Sequence, residues 1–289
     1  MHPILRGACA VLLLAGLAPA TRPAQAETYQ TCAGFIDSLP ATLTTQGVWC
    51  LRKDLGTAMA SGAAITIAAN NVTIDCNDFK LGGLAAGAAT QTRGIQAAAW
   101  NNATVRNCNI RGFLYGASLY GGSGHAVLDS RFDGNTLIGI YIGGDGAVVR
   151  GNRILETGGT TLTYYTNTHG LSYATGMTGT IVDNVVQGVH GISTGGQARG
   201  ISVSLSAGEV ARNSVSDLQP TGGSLAYGIH ASAANSRLMI RDNLVSMPAS
   251  TPIPGYGVVC YGAIARNNTV SGMVSSYYSC TDAGGNFAN

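Results

Sequence analysis

The chain has 289 residues, 41 of them glycine, with 16 Lys and Arg against 14 Asp and Glu. So much glycine, far above the usual ~7%, without a Gly-x-y period of three points to a chain full of turns. The near-zero balance of charge excludes the clustered basic excess on which nucleic-acid binding draws, so no nucleic acid is expected as a partner.

The chain opens with Arg6, an apolar run from Ala8 to Leu17 and the small-x-small triplet Ala24-Gln25-Ala26. This is the form of a secretory signal, so residues 1–26 are expected to be removed on export, placing the protein outside the cell or in a periplasm. The apolar run is too short to cross a bilayer, and no later segment approaches the length needed, so no membrane span is expected. Losing Arg6 and Arg22 with the leader leaves fourteen basic residues against fourteen acidic ones, and only Lys53 and Lys80 are lysines. The other basic residues are arginines, which suit planar recognition of carboxylates. Six cysteines remain, at 32, 50, 76, 108, 260 and 280, and an even count in an exported chain suggests disulfides. No Cys-x-x-Cys spacing occurs, which speaks against zinc, and no cofactor is expected.

Residues 27–60 carry two cysteines, Pro40 and few strand repeats, as befits a cap over the end of a repeat structure. The body begins at Asn70-Asn71-Val72-Thr73-Ile74-Asp75-Cys76-Asn77, which resembles Asn101-Asn102-Ala103-Thr104-Val105-Arg106-Asn107-Cys108. From there a unit repeats: Gly94-Ile95, Gly116-Ala117 and Gly139-Ile140 lie 22 and 23 residues apart. Continued through the chain, the glycine recurs at 170, 200, 228 and 257. A second strand ends in a polar turn and an apolar anchor, as in Asn77/Phe79, Cys108/Ile110, Asn152/Ile154, Asn213/Val215 and Asn268/Val270. Asparagine suits such a corner because it tolerates a left-handed backbone and because its amide can both donate and accept along a stack.

Spacing within the unit separates scaffold from loops. From glycine to the following anchor the distance is 13 to 17 residues, whereas from anchor to the next glycine it varies from 6 to 16. The longer connections fall mainly in residues 155–256 and must stack along one edge, where binding usually occurs in such arrays.

With these features the chain resembles the right-handed parallel β-helix superfamily, the pectate-lyase-like fold, over about residues 47–280. The resemblance implies an all-β protein: a right-handed, single-stranded parallel β-helix, a solenoid of about eight to ten coils. It would form a single domain over 27–289, capped by residues 27–60 and 271–289. Stacked strands lie ~4.8 Å apart, within disulfide range, so Cys260–Cys280 and Cys32–Cys50 are expected as bridges at the two ends. Cys76 and Cys108, on adjacent coils, are either a third pair or buried thiols.

The fold carries pectate and alginate lyases, uronate epimerases, polygalacturonases, tailspikes and non-catalytic surface proteins, so the chemistry must come from particular residues. Tyr141, His169, Arg199, Tyr227 and His230 stand beside the glycine column on four successive coils, a ladder ~15 Å long that suits an extended sugar chain. His190 is expected in the loop between two of them, and Tyr164 and Tyr165 in the longest loop offer faces for stacking. In the resembled lyases and epimerases a basic group neutralises the uronate carboxylate while another side chain removes the C5 proton. On that pattern Arg199 is the neutraliser, His169 or His230 the base and Tyr227 the acid, with Tyr141, Tyr164, Tyr165 and His190 as substrate contacts. The expected partner is an acidic polysaccharide or cell-surface glycan. The alternative is a non-catalytic rod whose Tyr and His merely fill ladder positions.

A glycosidase requires two carboxylic acids, and Glu156 and Asp217, two coils apart, would stand ~10 Å from each other, loose even for an inverting pair. Asp129, Asp133 and Asp145 fall in different columns, so calcium has no cluster to hold it. Arg106, Arg150, Arg241 and Arg266 align beside the turns, and a solvated structural row is expected there.

Overall fold

A computed structural model describes residues 31–192, 195–232, 237–248 and 252–289, so the expected leader lies outside the described residues. Among those residues the strands pair in parallel and assemble into one sheet of 19 strands and another of 10. A regular coil contributes three short strands. Arg93–Ala98 and Thr104–Arg106 join the first sheet, and Asn109–Arg111 the second.

The alternation seen in the sequence becomes three buried columns. Ile95, Ala117, Ile140, Leu171, Ile201, Ile229 and Val258 stack in register. So do Ile74, Val105, Val127, Val149, Ile181, Val210 and Ile240. The anchors Leu81, Ile110, Phe132, Ile154, Val186, Val215, Val245 and Val270 complete the set. Most are wholly buried, and each such aliphatic contributes roughly 1.5–3 kcal/mol, so the core is a long line of stacked side chains without a broad centre. In the anchor column the sequence pattern places Phe79, but the structure places Leu81. Asn77 and Asp78 both adopt φ > 0, widening that corner by two residues and pushing the anchor along.

The asparagine corners work differently from the expectation. The left-handed residue is the one before each ladder asparagine: Gly151, Asp183, Arg212, Asp242, Asn267 and Gly285 have φ between 52° and 72°. Freed from that task, the asparagines point inward. Asn152 Nδ2 donates to Asn184 Oδ1, and the same bond repeats through Asn213, Asn243, Asn268 and Asn286 at 2.9–3.0 Å. Each amide also donates to a carbonyl of the preceding coil, for example Asn184 to Val149, so these buried groups are satisfied. Toward the N-terminus Ser130 and Cys108 continue the file.

The repeating glycines are not turn residues. Gly94, Gly116, Gly139, Gly170, Gly200 and Gly228 lack φ > 0, yet a Cβ on any of them would lie under 3.0 Å from the carbonyl of the next glycine in the column. Close approach of successive coils therefore requires them. Between 167 and 211 two strands of the first sheet merge into continuous runs, Asn167–Val182 and Gln197–Ala211. Beside a register shift between 173 and 176 in the first run, Tyr173 is buried, its hydroxyl accepting from Ala147 N–H at 3.1 Å and donating to Gly144 at 2.6 Å, with Gly176 and Gly179 leaving room for the ring.

Both terminal regions join the ladder. Ala41 pairs with Ile65 and Gly47 with Val72, while Tyr277 pairs with Val258 and Ala288 with Val270. The expected bridges Cys32–Cys50 and Cys260–Cys280 are formed, and the open question at Cys76 and Cys108 resolves as a third disulfide, with Cα atoms 4.7 Å apart. No helix among the described residues is long and apolar enough to cross a membrane.

Candidate functional site

The position just before each column glycine faces outward on the first sheet. There, in register one coil apart, stand Tyr115, Ile138, His169, Arg199, Tyr227 and Tyr256. Three residues further along the same strands stand Tyr141, Ser172, Ser202 and His230. Of the residues singled out in the sequence, His169, Arg199 and Tyr227 fall in the first of these columns and Tyr141 and His230 in the second, on one face.

The Arg199 guanidinium donates from Nε and Nη2 to Gln197 Oε1 at 2.9 and 2.6 Å and lies over the Tyr227 ring, 5.2 Å from its centroid. Among the described residues it has no carboxylate partner. Tyr227 packs edge-on against His230 at 5.1 Å and stacks on Tyr256 at 5.8 Å. Tyr261 then packs against His230, and Tyr278 against Tyr256 and Tyr261. This aromatic strip follows the solenoid to its C-terminal end.

Burial, reinforced by the Arg199 charge, pushes the imidazoles down: His169 to about 3, with His230 adding to the effect, and His230 itself to about 4. Both are neutral at neutral pH, and the Nδ1 atom of each is buried without a hydrogen-bond partner. Burial also raises the Tyr227 phenol, against the opposing pull of Arg199, so it stays protonated. The strip thus sets the Arg199 charge beside two neutral imidazoles and the Tyr227 ring.

The other expected contacts sit elsewhere. Tyr141 stacks on Tyr115 at 5.8 Å, and Arg93 lies over Tyr115 at 5.3 Å, forming a second cluster nearer the N-terminus. The loop carrying Tyr164 and Tyr165 folds back over it, anchored where Thr160 N–H donates to Thr136 and Thr161 N–H to Ala88. Tyr165 packs with Tyr141 on a small satellite core of Leu114, Leu137, Ile138 and Ile192, while Tyr164 is 62% exposed. His190 belongs to the second sheet, paired in register with Gln219, where Nε2 bonds Glu156 at 2.9 Å and Nδ1 bonds Gln219 at 3.2 Å. It ends a regular strand, Val185–His190, and its polar partners are on neighbouring coils of that sheet.

Tyr256, Tyr115 and Arg93 escaped the sequence reading although each directly precedes a column glycine, the position that singled out His169, Arg199 and Tyr227. Tyr261 and Tyr278 lie outside that pattern and carry no such signal. Glu156 and Asp217 occupy equivalent left-handed corners, where they accept from His190 and from Gln219. Asp133 pairs with Arg131 and Asp145 accepts from the Met177 N–H, while Asp129 forms a left-handed corner. In the arginine row Arg106 is held by Asp75, and Arg241 by Glu209 and Asp242.

A family model described as the right-handed beta helix region matches residues 57–273. The chain belongs to the right-handed β-helix family. Its coils are therefore right-handed, in keeping with the parallel register of both sheets. No curated protein and no solved structure matches the chain.

Proposed function

We propose that this right-handed β-helix protein is exported, to the cell exterior or a periplasm, and holds an acidic polysaccharide along the strip from His169 to Tyr256 without cleaving it. The observation that carries this reading is the Arg199 guanidinium, bonded among the described residues only to the neutral Gln197 and set against Tyr227 in a row of rings one coil apart. A carboxylate beside an Arg forms a strong charge-assisted bond, and aromatic rings offer sugars flat apolar faces. The ~4.8 Å rise between coils lets a chain of sugars meet several such groups in sequence. Three disulfides favour an oxidising compartment.

Binding is favoured over lyase or epimerase chemistry by the imidazoles. Removing a C5 proton asks for a base whose pKa lies near the working pH, and His169 and His230, at about 3 and about 4, are far weaker acceptors. The test is affinity electrophoresis against polygalacturonate, alginate and hyaluronan while the absorbance of unsaturated uronate is followed. Retention by at least one polymer with no rise in absorbance is the expected result. Failure of all three to retain the protein would overturn the reading in favour of a bare structural rod. A rise in absorbance that disappears in His169→Gln would replace binding with lyase activity.

A further inference from the structure

The second sheet carries a hollow that the reading of the first face does not use. Its outward column begins Gly56, Gly82, Arg111, Asp133, each one coil from the next. Where later coils place side chains, the first two present none. These glycines are not demanded by the backbone: neither has φ > 0, and a Cβ on either would meet only a carbonyl oxygen at 3.7 or 3.8 Å, ordinary contact. What their missing side chains leave is an open hollow of about 460 Å³, bordered by Leu84, Ala85, Lys80 and Arg111. Its size falls within the range of small-ligand sites. A second cavity of about 270 Å³ adjoins it, sharing Lys80 and Arg111 and adding Asp78, Asn109, Arg131 and Asp133.

The charges in this hollow are unequal in their freedom. Lys80 is paired with Asp54 at 3.0 Å and Arg131 with Asp133 at 2.9 Å. Arg111 is left over: among the described residues no carboxylate pairs with it. It borders both cavities, and its terminal nitrogens could give a bound carboxylate two parallel bonds. Three aspartates around the adjoining cavity would repel a highly charged phosphate or polysulfate, yet their oxygens accept readily from hydroxyl groups. One negative charge, several hydroxyls and a flat ring able to lie over Gly56 and Gly82 against Leu84 describe a sugar acid.

We propose that this hollow is a second saccharide site, taking a single uronic acid residue whose carboxylate pairs with Arg111. It lies on the other sheet from Arg199 and does not depend on the first face binding anything.

The test uses the full chain and isothermal titration with galacturonate, neutral galactose and galactose 6-sulfate, single sugars too short to span several coils of the first face. Four proteins are compared: wild type, Arg111→Gln, Gly82→Val, which fills the hollow, and Arg199→Gln. Thermal melting followed by circular dichroism establishes that each is folded. Galacturonate is expected to bind wild type and Arg199→Gln alike, to weaken at least about tenfold in Arg111→Gln and to be lost in Gly82→Val. Galactose and its sulfate are expected not to bind. Galacturonate binding that survives both Arg111→Gln and Gly82→Val, or no galacturonate binding to wild type, would overturn the site. Equal binding of galactose or preference for the sulfated sugar would overturn the assignment of a carboxylate ligand. Loss in Arg199→Gln alone would place binding on the first face and sink this proposal while sparing the other.

Discussion

Arg199 lies over the ring of Tyr227, one coil further along in the parallel register, with its guanidinium 5.2 Å from the ring centroid and two of its nitrogens bound to Gln197. The arrangement fixes a positive charge at the surface of a stack of rings without neutralising it. Replacing Arg199 by Gln keeps polarity but removes that charge, and polyuronate retention should weaken by about tenfold. Added salt should weaken wild-type retention and have little effect on the variant. Affinity electrophoresis at two salt concentrations measures both, and equal salt response in the two proteins would count against the assignment.

The two depressed imidazoles give stability a pH dependence of known sign. In the unfolded chain each takes a proton near 6.5, but in the folded protein only near 4 for His230 and near 3 for His169. Between those values the unfolded state binds more protons, so stability rises with pH. The contribution is fully present above about pH 6.5 and is lost as the pH falls toward 4 and then 3. Melting temperatures of wild type should therefore drop over this window, and His169→Gln or His230→Gln should flatten the slope. Parallel slopes for all three proteins would show that the imidazoles do not titrate as described.

The buried asparagine file should be the most sensitive polar feature of the fold. Asn184 alone donates to Val149, Val182 and Asn213 and accepts from Asn152. Asn184→Ala leaves those buried groups unpaired, with an expected loss of roughly 2–4 kcal/mol in urea unfolding. Asn286→Ala, at the partly exposed end of the file, should cost less.

Glycine should likewise divide into two classes. A Cβ at Gly170 would sit under 3.0 Å from Val186 Cγ1 and the Gly200 carbonyl, so Gly170→Ala forces adjacent coils apart at an expected cost of roughly 1–3 kcal/mol. Gly56→Ala meets only ordinary contacts and should change stability by no more than about 0.5 kcal/mol. Similar losses at the two positions would contradict the packing described.

The coil was legible because its constraints repeat. Val105, Val127 and Val149 fill the same place in successive coils, so one register error would have broken every later match. What escaped was local. Phe79 and Leu81 are equally apolar, and only the paired left-handed residues Asn77 and Asp78 decide which reaches the anchor column. The strip was partly legible, since residues before column glycines must point outward on one face. His190 was misplaced because its neighbouring Gly188 and Gly191 look like a loop, although Gly188 only bends a regular strand at a left-handed corner. Arg111 was invisible as a ligand-binding candidate, because an arginine on an exposed strand gains meaning only once two glycines stacked beside it leave space.

The asparagine file locks one corner of every coil from Asn152 to Asn286, while the opposite edge carries connections of very different length. Register is set at the locked corner, so a loop can grow or shrink on one coil without shifting its neighbours. That makes the loop edge a series of separately adjustable segments along a fixed spine. A change in which sugars the face accepts can thus come from lengthening one connection, with the rest of the rod left as it stands.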